Sequence, residues 1–146
     1  MKILNKQTIK VNNNNSISIL TLENDMFEIA HLENGKYSET ILNDVVRVNE
    51  NELSEKVEEI ATEIVTKTLK EEFEAETVEG SIQIETFTYD IWIDVMFEKN
   101  KITYACETSH NGRRYDCDDF RDSVANRQTR STFKGLVNYI KRFEDR

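Results

Sequence analysis

The stretch CETSHNGRRYDCDDFR, residues 106–121, concentrates the side chains best suited to chemistry. Cys106, His110 and Cys117 are the thiolate and imidazole donors that zinc takes, with Asp116, Asp118, Asp119 or the distant His31 available as a fourth ligand. Their C-x3-H-x6-C spacing contains neither CxxC nor HxxxH and fits no standard zinc finger. Cys106 is also in phase with Ile102 and Tyr104, the inward side of a strand, and His110-Asn111-Gly112 reads as a turn. The preferred reading is a strand end, a turn and the acidic start of a helix, whose dipole the aspartates oppose. No cofactor is therefore expected, zinc at Cys106, His110 and Cys117 being the alternative.

Other constellations are weaker still. Asp116, Asp118 and Asp119 lack the alternate-position spacing of a calcium loop. Asp94 and Glu107 on neighbouring strands resemble a nuclease carboxylate pair, but no suitably placed lysine follows. Ser131-Thr132-Phe133-Lys134 matches S-x-x-K without the companion boxes of the acyl-transfer enzymes that use it. Four glycines in the whole chain leave little from which to build a phosphate cradle. The reading is against an enzyme.

Charge separates the chain more clearly than motifs do. Residues 1–99 carry 9 basic and 21 acidic side chains, and residues 100–146 carry 10 and 7, which together make the formal net charge of −9. The acidic part would repel nucleic acid, and the arginines 113, 114, 121, 127 and 130 form the one basic concentration. That cluster, beside Tyr115 and Phe120, could touch a nucleic-acid backbone or neutralise nearby acids, the second reading being preferred. The first residues, MKILNKQTIKV, lack an apolar signal core, and no apolar run approaches the roughly 20 residues of a membrane span. A cytoplasmic location is expected. A chain of 146 residues is read as a single domain spanning 1–146, large enough to fold without disulfides or metal.

The elements that would position these residues follow from hydrophobic periodicity. Segments 2–11 and 16–22 flank the Asn12–Asn15 run. A third strand over 26–32 ends at Asn34-Gly35, a hairpin signal, and returns through 37–42, extending towards Val48. Leu53, Val57, Ile60, Ile64, Val65, Leu69 and Phe73 recur at helical spacing and predict an amphipathic helix over 52–76. Asn49 and Glu52 fit a capping box, with Asn51 the alternative cap, and Glu52–Lys56 and Glu63–Lys67 are candidate i,i+4 pairs. Ile82, Ile84, Ile91, Ile93, Val95 and Phe97 alternate as one bent strand or two. EKNK at 98–101 turns the chain into Ile102, Tyr104 and Cys106. A short helix near 118–126 and a longer one over 132–144, capped by Ser131, complete the chain. The fold class is α+β: an antiparallel meander, a long amphipathic helix, a second antiparallel hairpin, and C-terminal helices packed on one sheet face.

Function rests on the acidic helix. Nine glutamates and three lysines over 52–76 give it a net charge of −6. At a rise of 1.5 Å per residue that is about one net charge per 6 Å, against one per about 1.7 Å for duplex DNA. The helix alone is a poor copy of a duplex, and mimicry would need Glu79, Glu85, Asp90, Asp94 and the acids of 23–50 on the same face. The expected function is a small non-catalytic inhibitor of phage or mobile-element type, blocking a basic site on a nucleic-acid enzyme as anti-CRISPR proteins and nuclease inhibitors do. Its expected partner is thus a basic protein surface, engaged by Glu55, Glu58, Glu59, Glu63, Glu71 and Glu72. The alternative is a metal-stabilised regulatory or nucleic-acid-binding module built from 106–130.

Overall fold

A computed structural model describes residues 2–110, the side chain of His110 excepted, and residues 128–144. The expected helix near 118–126, Cys117 and the arginines 113, 114, 121 and 127 lie outside the described residues. Among the described residues, two antiparallel sheets and two α-helices make up the α+β fold. The first sheet contains β1 (Ile3–Lys10), β2 (Asn15–Leu22), β3 (Met26–Glu33), β4 (Lys36–Tyr37) and β5 (Val46–Asn49). The second contains β6 (Ala75–Val78), β7 (Ser81–Glu85), β8 (Tyr89–Glu98), β9 (Lys101–His110) and β10 (Gln128–Arg130), in the order β10-β9-β8-β7-β6. Helix α1 (Leu53–Leu69) joins the sheets, and α2 (Phe133–Glu144) follows β10.

Without proline, the tight turns come from residues that accept positive φ. Asn34-Gly35 has φ of 54° and 82°, and Glu79-Gly80 has 50° and 84°, the left-handed pair that a two-residue hairpin requires. Lys99-Asn100 does the same at 51° and 62° and reverses β8 into β9. The stretch TFTYD conceals a further turn, so 81–97 forms two strands. Thr86 makes it: its hydroxyl donates to the Tyr89 carbonyl at 2.9 Å and accepts from the Tyr89 N–H at 2.9 Å. The Thr86 backbone N–H donates to the same carbonyl at 2.8 Å, so backbone and side chain close the turn together.

Two expected elements are corrected. The return strand over 37–42 is interrupted: β4 has two residues, and pairing with β3 resumes at β5, opposite Met26–Ile29. Between them Ser38 Oγ accepts the Thr40 N–H and Asp44 Oδ1 accepts the Val45 N–H, so side chains divert backbone donors from the ladder. The helix expected to reach 76 ends at Leu69. The Glu72 and Phe73 N–H groups both donate to the Leu69 carbonyl, at 3.1 and 2.8 Å, which closes the last turn. Phe73 keeps its helical phase but is buried from a turn, and Ala75–Val78 pairs with Ser81–Ile84 as a strand.

At the other end of α1 the capping box forms: Asn49 Oδ1 accepts the Glu52 N–H at 3.1 Å, and Glu52 Oε1 accepts the Asn49 N–H at 3.3 Å. With Glu52 so engaged, Lys56 pairs forward with Glu59 at 3.2 Å instead of with Glu52. The cap of α2 is Thr132 and not Ser131, because Thr132 Oγ1 accepts the Gly135 N–H at 3.0 Å.

One cluster of buried side chains runs from Ile17 and Ile29 of the first sheet through Val57 and Ile64 of α1 to Ile93 of the second sheet and Leu136 of α2. Alternation along β8 buries Ile91, Ile93, Val95 and Phe97 and leaves Trp92 exposed. Both helices pack against the second sheet, α1 chiefly on β8 and β6 and α2 on β8 and β10, while α1 also touches β2, β3 and β5. Each fully buried isoleucine or valine contributes roughly 1.5–3 kcal/mol. Tyr139 of α2 closes the far end, its hydroxyl 2.5 Å from the Thr108 hydroxyl and its ring under the Arg130 guanidinium at 5.1 Å. Among the described residues, no helix is long and apolar enough to cross a membrane.

Candidate functional site: an acidic cleft

The outer side of α1 presents Glu55, Glu58, Glu59 and Glu63 at positions i, i+3, i+4 and i+8, a single helical face with the buried Thr62 at its edge. The β6–β7 hairpin turn, Glu79-Gly80, and Ser81 stand opposite, and Asp94, Val95 and Met96 of β8 complete the lining. The resulting cleft has a volume of about 540 Å³. Six carboxylates line it, and among the described residues its lining includes no lysine or arginine.

Local packing explains why the glutamates gather there. The opposite stripe of α1, Val57, Ile60, Ala61, Ile64 and Val65, is buried in the core. That burial fixes the rotation of the helix about its axis. Thr62 and Thr66 sit where the helix meets β6: their hydroxyls donate to the Glu58 and Thr62 carbonyls at 2.7 Å, and Thr66 Oγ1 lies 3.0 Å from Thr77 Oγ1. Satisfied in this way, the threonines let a strand approach one edge of an otherwise acidic face.

The six carboxylates are not equivalent. Glu58 Oε2 accepts the Phe97 backbone N–H at 2.8 Å, tying helix to strand. Asp94 accepts a short hydrogen bond from the Ser81 hydroxyl, and Glu59 is paired with Lys56. Glu55, Glu59, Glu63 and Glu79 are exposed, and Glu58 and Asp94 are half-buried. Chemically, the arrangement offers several acceptors to a cation that enters from outside. Its own crowding of negative charge is relieved when one does.

Of the six glutamates expected to bind a partner, Glu55, Glu58, Glu59 and Glu63 meet in this cleft. Glu71 and Glu72 do not. They follow the helix end, where Glu72 pairs with Lys141 of α2 at 3.2 Å and Glu71 borders a separate small cavity near His31. Glu79 and Asp94 join the cleft, whereas Glu85 and Asp90 face one another at the other end of the β7–β8 pair. The sequence alone gave no measure of which strand acids would reach α1, because that depends on the register of β7 against β8.

Cys106 is fully buried on the inner side of β9, opposite Ile93, with its thiol 3.8 Å from the Tyr104 carbonyl. His110 ends β9 opposite Tyr89; its side chain and Cys117 lie outside the described residues. Among the described residues, no group of three or more histidine, cysteine, aspartate or glutamate side chains is placed to hold a metal ion. His31 is buried on β3 and bonded to Asn15 at 2.7 Å. Burial also pushes the Tyr104 and Tyr139 hydroxyls above the usual phenol range. No protein-family model, curated protein or solved structure matches the chain.

Proposed function

We propose that this chain is a small non-catalytic binding protein whose acidic cleft receives a basic element of a partner protein. The observation that carries the reading is the convergence of Glu55, Glu58, Glu59, Glu63, Glu79 and Asp94 on one concave surface. A cleft of about 540 Å³ matches the scale of a few lysine or arginine side chains rather than of a duplex. The partner class this favours is an enzyme or other protein that uses a basic site to hold nucleic acid, and occupying that site would inhibit it. Complementary fields of this kind accelerate encounter and weaken as salt screens them.

The test is capture of partners from a bacterial lysate by the tagged chain, at low and at high salt. Each captured protein is identified, and its affinity is then measured with purified components. The expected partner carries a basic nucleic-acid site, is released as salt rises, and loses affinity by about 100-fold or more when Glu55, Glu59 and Glu63 are all changed to lysine. Changing Glu71 and Glu72 to lysine is expected to alter affinity only a few-fold. A partner that binds the triple variant as tightly as the parent chain would overturn the cleft as the binding surface.

A further inference from the structure

The buried polar groups beside α1 form a relay whose every proton can be assigned. Asn12 Oδ1 accepts the backbone N–H groups of Asn14 at 3.0 Å and Asn15 at 2.9 Å, so that atom must be the oxygen. The Asn12 amide nitrogen therefore donates to Thr68 Oγ1 at 3.1 Å, and the Thr68 hydroxyl donates to the Ile64 carbonyl at 2.9 Å. The Asn15 amide nitrogen donates to Asn12 Oδ1 at 3.0 Å, which leaves Asn15 Oδ1 to face His31 Nε2 at 2.7 Å. An amide oxygen can only accept, so Nε2 carries the ring proton. In the neutral ring Nδ1 is then a bare lone pair.

His31 is 2% exposed, and among the described residues its buried Nδ1 has no hydrogen-bond partner. Protonation would place an N–H and a positive charge at a buried atom that no acceptor among the described residues meets. We propose that His31 is an acid-sensitive latch, holding β3 and the Asn12–Asn15 turn against the C-terminal half of α1 only while its ring is neutral.

The charges around the ring come from three directions. Glu33 lies on β3 itself and Lys67 comes from α1; Glu71 after the helix end, Tyr37 of β4, and Glu39 and Asp44 between β4 and β5 line cavities that His31 also borders, while β2 offers the neutral Asn15. Burial dominates and lowers the ring's pKa below the ordinary 6.5; Glu33 opposes that shift and Lys67 adds to it. A histidine whose folded pKa is depressed binds protons more readily in the unfolded chain. Stability from the latch is thus complete above about pH 6.5 and declines as pH falls through that value towards the folded pKa.

The test compares thermal unfolding of the full chain and of His31→Gln between about pH 7.5 and 5.5. A glutamine amide nitrogen can take the place of Nε2 as donor to Asn15, yet it has no proton to gain. The melting temperature of the parent chain should fall about 3 °C or more further than that of the variant across this range. Parallel curves would overturn the latch. Should the variant fail to fold, nitrogen-15 NMR of the parent chain's two histidine rings, assigned with His110→Gln, decides the matter. The latch requires the Nε2–H form at neutral pH, protonation of His31 only below pH 6.5, and loss of hydrogen-exchange protection at the Asn15 amide when it occurs. A ring that protonates at 6.5 or above, or without loosening Asn15, would overturn it.

Discussion

The two ends of α1 use polar side chains in opposite ways. From its first turn to just past its midpoint, the helix exposes Glu55, Glu59 and Glu63 beside a cleft rich in like charge. Towards the C-terminus, Thr68 bonds to Asn12, and just beyond the helix Glu72 pairs with Lys141. One end keeps exposed carboxylates beside Glu58, which is tied to Phe97, and the other closes polar groups onto neighbouring elements. The contrast shows that a run of glutamates in one sequence segment need not form one surface. Where the helix stops, and what packs against its last turn, divides the run.

Four substitutions test that division, and the largest effect is expected at the closed end. Asn12→Ala removes the acceptor for three donors and the donor to Thr68, and should destabilise the fold by about 2–3 kcal/mol in denaturant unfolding. A loss below about 0.5 kcal/mol would mean that the relay adds little to holding the helix. Glu58→Ala is expected to cost about 1–2 kcal/mol, because it strands the Phe97 N–H, and it should exceed Glu55→Ala in the same assay. Equal losses would show that the open end contains no structural carboxylate. Glu72→Gln should change stability by at most about 0.5 kcal/mol, since both partners of its ion pair are about half exposed. A larger loss would place Glu72 among the supports of α2.

Much of the fold was legible in the sequence where one rule governed one segment. Alternation in β2 and β8, the Asn34-Gly35 hairpin and the Asn49–Glu52 capping box all depend on neighbours within a few residues. The errors arose where a local signal met a competing bond. Phe73 continues the helical phase of Leu69, yet the chain has already turned towards β6. Val46–Asn49 was readable as a continuation of the return strand, yet Ser38 and Asp44 break the ladder before it. The Thr86 turn left no Gly or Pro to announce it.

The candidate site was legible in part. The glutamates of α1 share a face because helical spacing dictates it, so Glu55, Glu58, Glu59 and Glu63 could be selected from sequence. Glu79 and Asp94 could be named as acids a shared face would need, but not placed there. The buried role of His31 had no signal at all: a histidine in a strand with alternating side chains gives no sign of which asparagine meets its ring.

By itself, the sequence determined that α1 would be an acidic amphipathic helix between two sets of antiparallel strands. Those features follow from side-chain periodicity and turn chemistry, which act over a few residues. Tertiary structure alone decided that four of the helix's glutamates meet a hairpin turn and a strand aspartate around one cleft. It also decided that Asn12, Asn15 and His31 join in a buried relay to Thr68. The physical reason is common to both: hydrogen bonds and crowded charges depend on distances of a few ångströms, and sequence separations of up to 56 residues between bonded partners set no such distance until the core packs.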